Sequence, residues 1–327
     1  GLLEKMSFFN GIDTDEVREL LDMWDGSLNY TLAALKMAKI SNGVSKMHGE
    51  VSRQMWANHK DICQITSVTN SQNKTYWKDS VLEKACESDD DKALMARKRE
   101  MKQALFKTVA DQTGKIYDPD VLTLVWARRY AGYKRADLLL SDKERFLKLI
   151  NNKEFPIQII WAGKPYPEDY HAIDIFNNIF WQTLQFENVC ILTGYELALS
   201  ATLKRGSDVW LNNPRLYREA SGTSGMTAAM NGSVNFSIPD GWIPEFAKHG
   251  KNSFLIEPAN RKLEVNEQDM VECERLYDIL ENEILPTYYK KPAKWASIVK
   301  NEIRDVAPQF DSGRMASEYY TKLFTKE

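Results

Sequence analysis

The chain has few cysteines, few histidines and no long apolar segment. Its four cysteines are widely scattered without Cys-x-x-Cys spacing, which argues against a disulfide framework or a zinc site. The four histidines show no metal-ligand spacing, so we expect no metal. No apolar run approaches the length of a membrane span, and a net charge of -3 creates no field that attracts nucleic acid or an anionic membrane. We therefore expect a cytoplasmic protein with neither partner.

The composition that is present is typical of a globular protein. Apolar residues make up 43% and charged residues 27% of the 327 residues. This length is sufficient for a large core and for one domain with an additional segment. Residues 1–110 have the periodicity of helices and no convincing strand, whereas residues 111–327 alternate between strand-like and helical patterns. The sequence thus predicts a helical segment over 1–110 and a separate α/β domain over 111–327.

Five short apolar runs in the second region are typical of strands that are buried on both faces. They are Val121–Trp126, Ile157–Ala162, Val189–Leu192, Asp208–Leu211 and Ser233–Ile238. Helical patterns separate most of these runs, and the clearest of them spans residues 173–184. This alternation predicts a doubly wound parallel sheet of the Rossmann-like class, flanked by N-terminal and C-terminal helices. Ligands bind beyond the carboxyl ends of the strands in such sheets, so the loops that follow the strands are the candidate site.

The loop over residues 212–227 is rich in small and hydroxyl-bearing residues and precedes a helical pattern. Free backbone N–H groups at the start of a helix favour an anion, and Ser221, Thr223 and Ser224 can add hydroxyl donors. Glu219, just ahead of them, can accept hydrogen bonds from sugar hydroxyls. From this loop alone, a plain strand-to-helix connection is an equally good interpretation.

A second stretch, residues 128–135, follows the first predicted strand of the α/β domain and contains Arg128, Arg129, Lys134 and Arg135. Clustered cations at a strand's carboxyl end suit a phosphate or another oxyanion, although a solvated run of charges is the alternative. Tyr195, after the strand Val189–Leu192, adds a weaker signal at the same edge. Together these loops indicate transfer of a sugar to or from phosphate.

Four segments together resemble the α-glucan phosphorylases, the family of glycogen and maltodextrin phosphorylases. They are Asn42–Arg53, Ala127–Arg135, Ala162–Lys164, and Glu219–Met226 followed by Asn231-Gly232. The resemblance implies the C-terminal half of a GT-B hexosyltransferase, with residues 1–110 as the remnant of, and linker from, an absent N-terminal domain. It implies that α-1,4-glucan and phosphate yield glucose 1-phosphate with retention of configuration, that pyridoxal phosphate is the cofactor, and that a homodimer can form. Without the other domain we expect no activity.

The resemblance also assigns roles to individual positions. Catalytic, substrate- or phosphate-binding and cofactor-binding roles fall, respectively, on Arg129, Lys134 and Glu219, on Tyr195, Ser221 and Gly222, and on Tyr133, Thr223, Gly225 and Thr227. One departure is chemical. The family keeps its Schiff-base lysine where this sequence has Thr227, and a threonine cannot form an imine. In addition, Thr69-Asn70-Ser71 replaces the family's Thr-Asn-Gly.

Three functions remain open at this point. The first is a phosphorylase-like enzyme that holds pyridoxal phosphate without a covalent bond. The second is a glycogen synthase-like glucosyltransferase that uses a nucleotide sugar; against it, Met226 stands seven residues after Glu219, where such enzymes commonly carry a ribose-binding carboxylate. The third is a non-catalytic glucan-binding module, which has no need for the clustered cations.

Overall fold

The computed structural model describes Asp15, Arg18, Glu19 and residues 29–325, so the first part of the predicted 1–110 segment lies outside the described residues. The helices are α1 Tyr30–Met37, α2 Lys46–Met55, α3 Lys74–Trp77, α4 Ser80–Glu87, α5 Asp91–Thr113, α6 Lys143–Ile150, α7 Tyr170–Thr183, α8 Leu197–Gly206, α9 Thr223–Ala229, α10 Val265–Ile279, α11 Leu285–Lys290, α12 Pro292–Gln309 and α13 Ser312–Tyr319. The strands are β1 Ile40–Gly43, β2 Gln64–Ser67, β3 Leu122–Ala127, β4 Ile157–Ala162, β5 Val189–Leu192, β6 Val209–Asn212, β7 Val234–Ser237 and β8 Ser253–Leu255. Short 3-10 turns span Gly132–Lys134, Leu138–Leu140 and Ile243–Glu245, and π-helical turns span Leu280–Ile284 and Tyr320–Phe324.

Strands β3 to β8 form one parallel sheet in the order β5-β4-β3-β6-β7-β8. The chain moves outward in one direction from β3 to β5 and then returns to lay β6 on the other side of β3. A crevice therefore opens between the carboxyl ends of β3 and β6, which is where ligands bind in sheets of this kind. The predicted doubly wound parallel sheet is confirmed.

The sheet is covered on both faces, so that its central strands β3, β4 and β6 are buried at every position. In β3, Leu124 and Trp126 pack into one core cluster, whereas Val125 and Ala127 pack into a second cluster on the opposite face. All six positions of β3 are buried. This explains why five of its six residues are apolar, with Thr123 as the exception, and why the strand does not alternate between polar and apolar residues.

The segment before residue 110 contains two strands that the sequence analysis did not predict. β1 and β2 pair in parallel as a separate two-stranded sheet. Each has only four residues, and the sequence of β1, Ile-Ser-Asn-Gly, lacks an apolar run. Helix α2 follows β1 closely, and Ser45 caps it by accepting a hydrogen bond from the His48 backbone N–H.

This region contacts the α/β domain directly. The Ser45 hydroxyl donates a hydrogen bond to the Ala220 carbonyl at 2.8 Å, and thus holds the loop after β6. The long helix α5 packs against α8 and α12. Within the part of the chain that the structure describes, no helix is long and apolar enough to cross a membrane.

Candidate functional site

Lys134 and Glu219 meet at the crevice between β3 and β6. Lys134 ends the 3-10 turn after β3, and Glu219 lies in the loop after β6. The Lys134 Nζ donates a hydrogen bond to Glu219 Oε2 at 2.7 Å, and each side chain is only 12% exposed. Burial and the nearby Arg128 lower the pKa of Lys134, while Glu219 acts in the opposite direction. A partly buried amine and carboxylate are thus fixed at the position where the fold binds ligands.

Arg128 is the second cation at this position. Its Nη1 lies 3.9 Å from Glu219 Oε2, and the side chain is 5% exposed. The guanidinium is anchored by Asn212 and by the Leu211 carbonyl at 3.0 Å, and its Nε is buried without a hydrogen-bond partner among the described residues. Burial lowers the pKa of Arg128 and Glu219 opposes that shift. The sequence analysis quoted Arg128 in its cationic stretch but gave it no role.

Arg129, which the sequence analysis placed with Lys134 in catalysis, is exposed and does not share the Glu219 contact. It interacts with the hydroxyl of Tyr133, whose pKa is raised, first by burial and then by Glu219. The Tyr133 carbonyl accepts a hydrogen bond from the Arg215 backbone N–H at 2.8 Å. Tyr133 therefore ties the loop after β3 to the loop after β6.

Asp240 holds the backbone around Glu219, and the sequence analysis missed it. Its Oδ2 accepts hydrogen bonds from the N–H groups of Arg218 and Glu219, both at 3.0 Å, and its Oδ1 accepts one from Gly241 at 2.8 Å. Burial raises the pKa of Asp240, and these backbone bonds counteract the rise. The only signal in the sequence is the turn dipeptide Asp240-Gly241, which does not reveal what the carboxylate binds.

The loop ahead of α9 places Ser221 and Gly222 beside Glu219, and Gly225 follows in the first turn of α9. The Ser221 hydroxyl is buried and has no hydrogen-bond partner among the described residues. Gly222 has a φ of +85° and precedes the first residue of α9. A Cβ at Gly225 would lie 2.6 Å from Asn235 Oδ1. A buried hydroxyl without a partner is a group that a polar ligand can satisfy.

Tyr195 reaches the same edge from the loop after β5. Its hydroxyl donates a hydrogen bond to the Ala127 carbonyl at 3.2 Å and accepts one from Ser200 at 3.3 Å. Burial raises the pKa of Tyr195. The tyrosine is therefore fixed at the end of β3, immediately before the cationic stretch.

Gly163, after β4, permits a close approach of two loops. It has a φ of +142°, and a Cβ there would lie 1.9 Å from the Arg128 carbonyl oxygen. The Arg128 N–H in turn donates to the Ala162 carbonyl at 3.1 Å. Only a residue without a side chain allows the loop that carries Arg128 to lie this close to β4.

Thr227 lies in the middle of α9 and is 1% exposed. Its Oγ1 donates a hydrogen bond to the Ser224 carbonyl at 3.0 Å. The residues here therefore fit pyridoxal phosphate in one respect and not in another. Arg128, Lys134 and the unpartnered Ser221 hydroxyl suit phosphate groups, whereas residue 227 offers no amine to a carbonyl. Among the described residues, no group of His, Cys, Asp and Glu side chains is arranged to hold a metal ion.

Comparison with known proteins gives one consistent family. Residues 28–270 match the family model for carbohydrate phosphorylase. The chain is 36% identical over 369 residues to a glycogen phosphorylase of Aquifex aeolicus, with 97% of this chain and 52% of the relative covered. It is 31% identical over 360 residues to a maltodextrin phosphorylase of Thermococcus litoralis, with 98% of this chain and 43% of the relative covered.

A further relative is an uncharacterized protein of Methanocaldococcus jannaschii. It is 44% identical over 324 residues, which cover 99% of this chain and 60% of that protein. The chain thus spans roughly two fifths to three fifths of the length of these curated relatives.

Proposed function

The chain belongs to the carbohydrate phosphorylase family, and on that premise we propose that its protein transfers a glucosyl unit from the end of an α-1,4-glucan to inorganic phosphate. The product is glucose 1-phosphate. The observation that carries the proposal is the contact of Lys134 with Glu219 beside Arg128, because it places a sugar-binding carboxylate within a few ångströms of two partly or fully buried cations.

The two kinds of charge have separate tasks in this proposal. Lys134 has three donors and gives one to Glu219, so the others are available to a phosphate oxygen. Arg128 adds a fixed positive charge, held by its bonds to Asn212 and Leu211. Glu219 accepts hydrogen bonds from the glucosyl hydroxyls and sets the sugar against the phosphate. Because these groups are positioned before the substrate binds, little reorganisation is needed when charge develops in the transition state.

Arg129, at the rim of this centre, contributes a mobile cation to incoming phosphate, and Tyr195 closes the rim on the β5 side. The Ser221 hydroxyl and the Gly222 backbone contact the substrate. These roles follow from the resemblance, and the positions of the four residues around one crevice support them.

We propose that pyridoxal phosphate is also held here, with no covalent bond at residue 227. Tyr133, Thr223, Gly225 and Thr227 would hold it, and its phosphate group would supply acid–base chemistry to the substrate phosphate. The protein's own task is to neutralise the phosphate charges, through Lys134 and Arg128, and to exclude water from them. Loss of the lysine at residue 227 then weakens retention of the cofactor more than it alters the transfer of the sugar.

A specific feature favours phosphate over a nucleotide sugar as the partner of the glucosyl group. Met226, seven residues after Glu219, is fully buried and packs in an apolar cluster with Trp242. A thioether in this position offers a ribose only a weak acceptor, in contrast to a carboxylate. The buried cations likewise count against a module that binds glucan without catalysis, because burying charge that serves no ligand is costly.

We propose that a preceding domain supplies the rest of the glucan site, since the chain covers 52% of the Aquifex aeolicus relative. In this arrangement residues 111–327 form the C-terminal domain, and residues 1–110 connect it to the other half. The chain alone is then inactive.

A ligand-selection experiment tests the proposal. The full-length protein is incubated with pyridoxal phosphate or, separately, with UDP-glucose or ADP-glucose, then gel-filtered and assayed for bound phosphate and absorbance. Retention of pyridoxal phosphate supports a phosphorylase-type site. Retention of a nucleotide sugar instead would move the protein to the synthase side of the superfamily, and retention of neither would favour the non-catalytic module.

A further inference from the structure

Lys204, on α8, is a buried amine that lacks the partners a buried amine normally has. The residue is 5% exposed, and its Nζ lies 4.1 Å from the centroid of the Trp77 ring. Within the described residues we find no hydrogen bond or ion pair to this Nζ. Burial lowers the pKa of Lys204 to about 7. A substantial fraction of this side chain is therefore the neutral, nucleophilic amine at neutral pH.

Two other buried lysines show how different Lys204 is. The Lys98 Nζ donates to three backbone carbonyls, those of Arg205, Ser207 and Asn231, at 2.8 to 2.9 Å. The Lys102 Nζ lies 2.6 Å from the Asp208 carboxylate. Both amines are held as hydrogen-bond donors and have a structural role in the fold. Lys204 has only the face of an aromatic ring as a partner, which leaves its nitrogen available for chemistry.

The position of Lys204 connects it to the residue where the family's amine is absent. Trp77, under the Lys204 amine, packs in one cluster with Met226, the residue before Thr227. The Asn231 side chain donates to the Trp77 carbonyl at 3.0 Å and to the Thr227 carbonyl at 2.8 Å. Helix α8 also packs against α9. Asn231 therefore joins the backbones of Trp77 and Thr227, and Lys204 covers the ring of the same tryptophan from the adjacent helix α8.

We propose that Lys204 is a carbonyl-binding amine, which attaches an aromatic aldehyde of the pyridoxal phosphate class in place of the lysine missing at residue 227. The Lys204 nitrogen forms a C=N bond to the aldehyde carbon, the carbonyl oxygen leaves as one water, and no electrons are exchanged. The protonated form of the product nitrogen is stabilised by the Trp77 ring. This inference rests on the proposed function for the identity of the aldehyde. The availability of the amine rests on the geometry alone.

Trapping followed by peptide mapping tests the proposal without measuring activity. The full-length protein is mixed with one equivalent of pyridoxal phosphate near neutral pH, reduced with borohydride, digested and analysed by mass spectrometry. We expect the adduct on Lys204 at well over ten times the level found on any exposed lysine, because its pKa of about 7 lies roughly three units below that of an ordinary lysine and each unit raises the neutral fraction about tenfold. Lys98 and Lys102 serve as internal controls and should remain unlabelled, and urea-unfolded protein should lose the preference for Lys204.

Variants provide the second readout. Lys204→Met keeps an apolar stem of similar length and should abolish the adduct. Lys204→Arg keeps the charge over Trp77 but cannot form an imine, so it should also abolish the adduct. If one of the two variants does not fold, the other still provides the test. The proposal is wrong if the unmodified protein carries no adduct on Lys204. It is also wrong if either folded variant gives as much reduced adduct as the unmodified protein.

The two proposals fail separately. If pyridoxal phosphate survives gel filtration and glucose 1-phosphate is produced while Lys204 stays unlabelled, the role of Lys204 is wrong and the proposed function stands. If Lys204 is labelled but no phosphorolysis occurs, the role of Lys204 stands and the proposed function is wrong.

Discussion

The Lys134 amine and the Glu219 carboxylate, which lie 85 residues apart in the sequence, meet at 2.7 Å where the loops after β3 and β6 converge. The contact exists because the strand order reverses at β3, so that β6 lies beside it. Asp240 fixes the backbone on the Glu219 side through two bonds of 3.0 Å. On the Lys134 side, a 3-10 turn determines where the amine lies.

Removing the Lys134 amine should weaken phosphate binding. Lys134→Ala is expected to cost about 1.5–3 kcal/mol of phosphate affinity, the scale of a hydrogen bond to a charged group. Isothermal titration calorimetry with inorganic phosphate measures this loss of affinity. Lys164→Ala is the matched control, because the Lys164–Glu196 pair has a similar length of 2.9 Å but its side chains are 68% and 74% exposed. Equal phosphate affinity in Lys134→Ala and the unmodified protein would remove Lys134 from the site.

Asp240 should act by positioning Glu219. In Asp240→Asn one carboxylate oxygen becomes an amide NH₂, which cannot accept a hydrogen bond from a backbone N–H. We expect a loss of about 1–3 kcal/mol in the free energy of unfolding, with a larger KM for glucan. Urea denaturation and steady-state kinetics measure the two effects. An unchanged KM in a destabilised variant would limit Asp240 to a structural role.

Gly163 should be sensitive to a single added methyl group. Gly163→Ala places a Cβ 1.9 Å from the Arg128 carbonyl oxygen and must shift the loop that carries Arg128, whereas Gly114→Ala has no heavy atom within 4 Å. Both glycines have positive φ, so both variants carry backbone strain and only the first carries the clash. We expect weaker phosphate binding in Gly163→Ala alone, measured by titration. A similar loss in both variants would mean that strain, and not the clash, matters.

Glu302 should impose a pH dependence on stability. It is fully buried, accepts two hydrogen bonds from Asn235 at 2.7 and 2.8 Å on Oε1, and leaves Oε2 without a partner among the described residues. Burial raises the pKa of Glu302 from 4.5 to about 8. The folded protein therefore retains a proton that the unfolded chain releases between these values. Stability then falls as the pH rises from 4.5 to 8, by at most about 1.4 kcal/mol per pH unit.

The difference in the free energy of unfolding between the unmodified protein and Glu302→Gln isolates this effect, because the glutamine does not titrate. Urea denaturation at several pH values from 5 to about 8 should show a difference that declines as the pH rises. A difference that is constant with pH would show that Glu302 is ionised in the folded protein.

The sheet was predictable because its strands are buried on both faces. Ile157–Ala162 and Val189–Leu192 agree with β4 and β5 at both ends, since a predominantly apolar run marks a covered strand. β8 was not predicted because it has only three residues, Ser-Phe-Leu. β1 and β2 were not predicted because each is short and partly exposed, so neither has an apolar pattern.

The sequence predicted which loops form the site, but not which of their side chains meet. Clustered cations and a small-residue loop indicated an oxyanion centre, but nothing in the sequence shows which of Arg128 and Arg129 turns toward Glu219. That choice depends on the side chain of Asn212 and the carbonyl of Leu211, which anchor Arg128 from the neighbouring strand β6. The burial of Lys204 could not be predicted either, because a single lysine in an amphipathic helix is usually exposed.

The measurement that tests the account most directly is the formation of glucose 1-phosphate. The full-length protein is supplied with maltodextrin, inorganic phosphate and pyridoxal phosphate, and glucose 1-phosphate is assayed over time. We predict that it accumulates, that omission of phosphate abolishes it, and that Lys134→Ala reduces it. A folded protein that forms no glucose 1-phosphate under these conditions, yet elongates the glucan from UDP-glucose or ADP-glucose, would contradict the account.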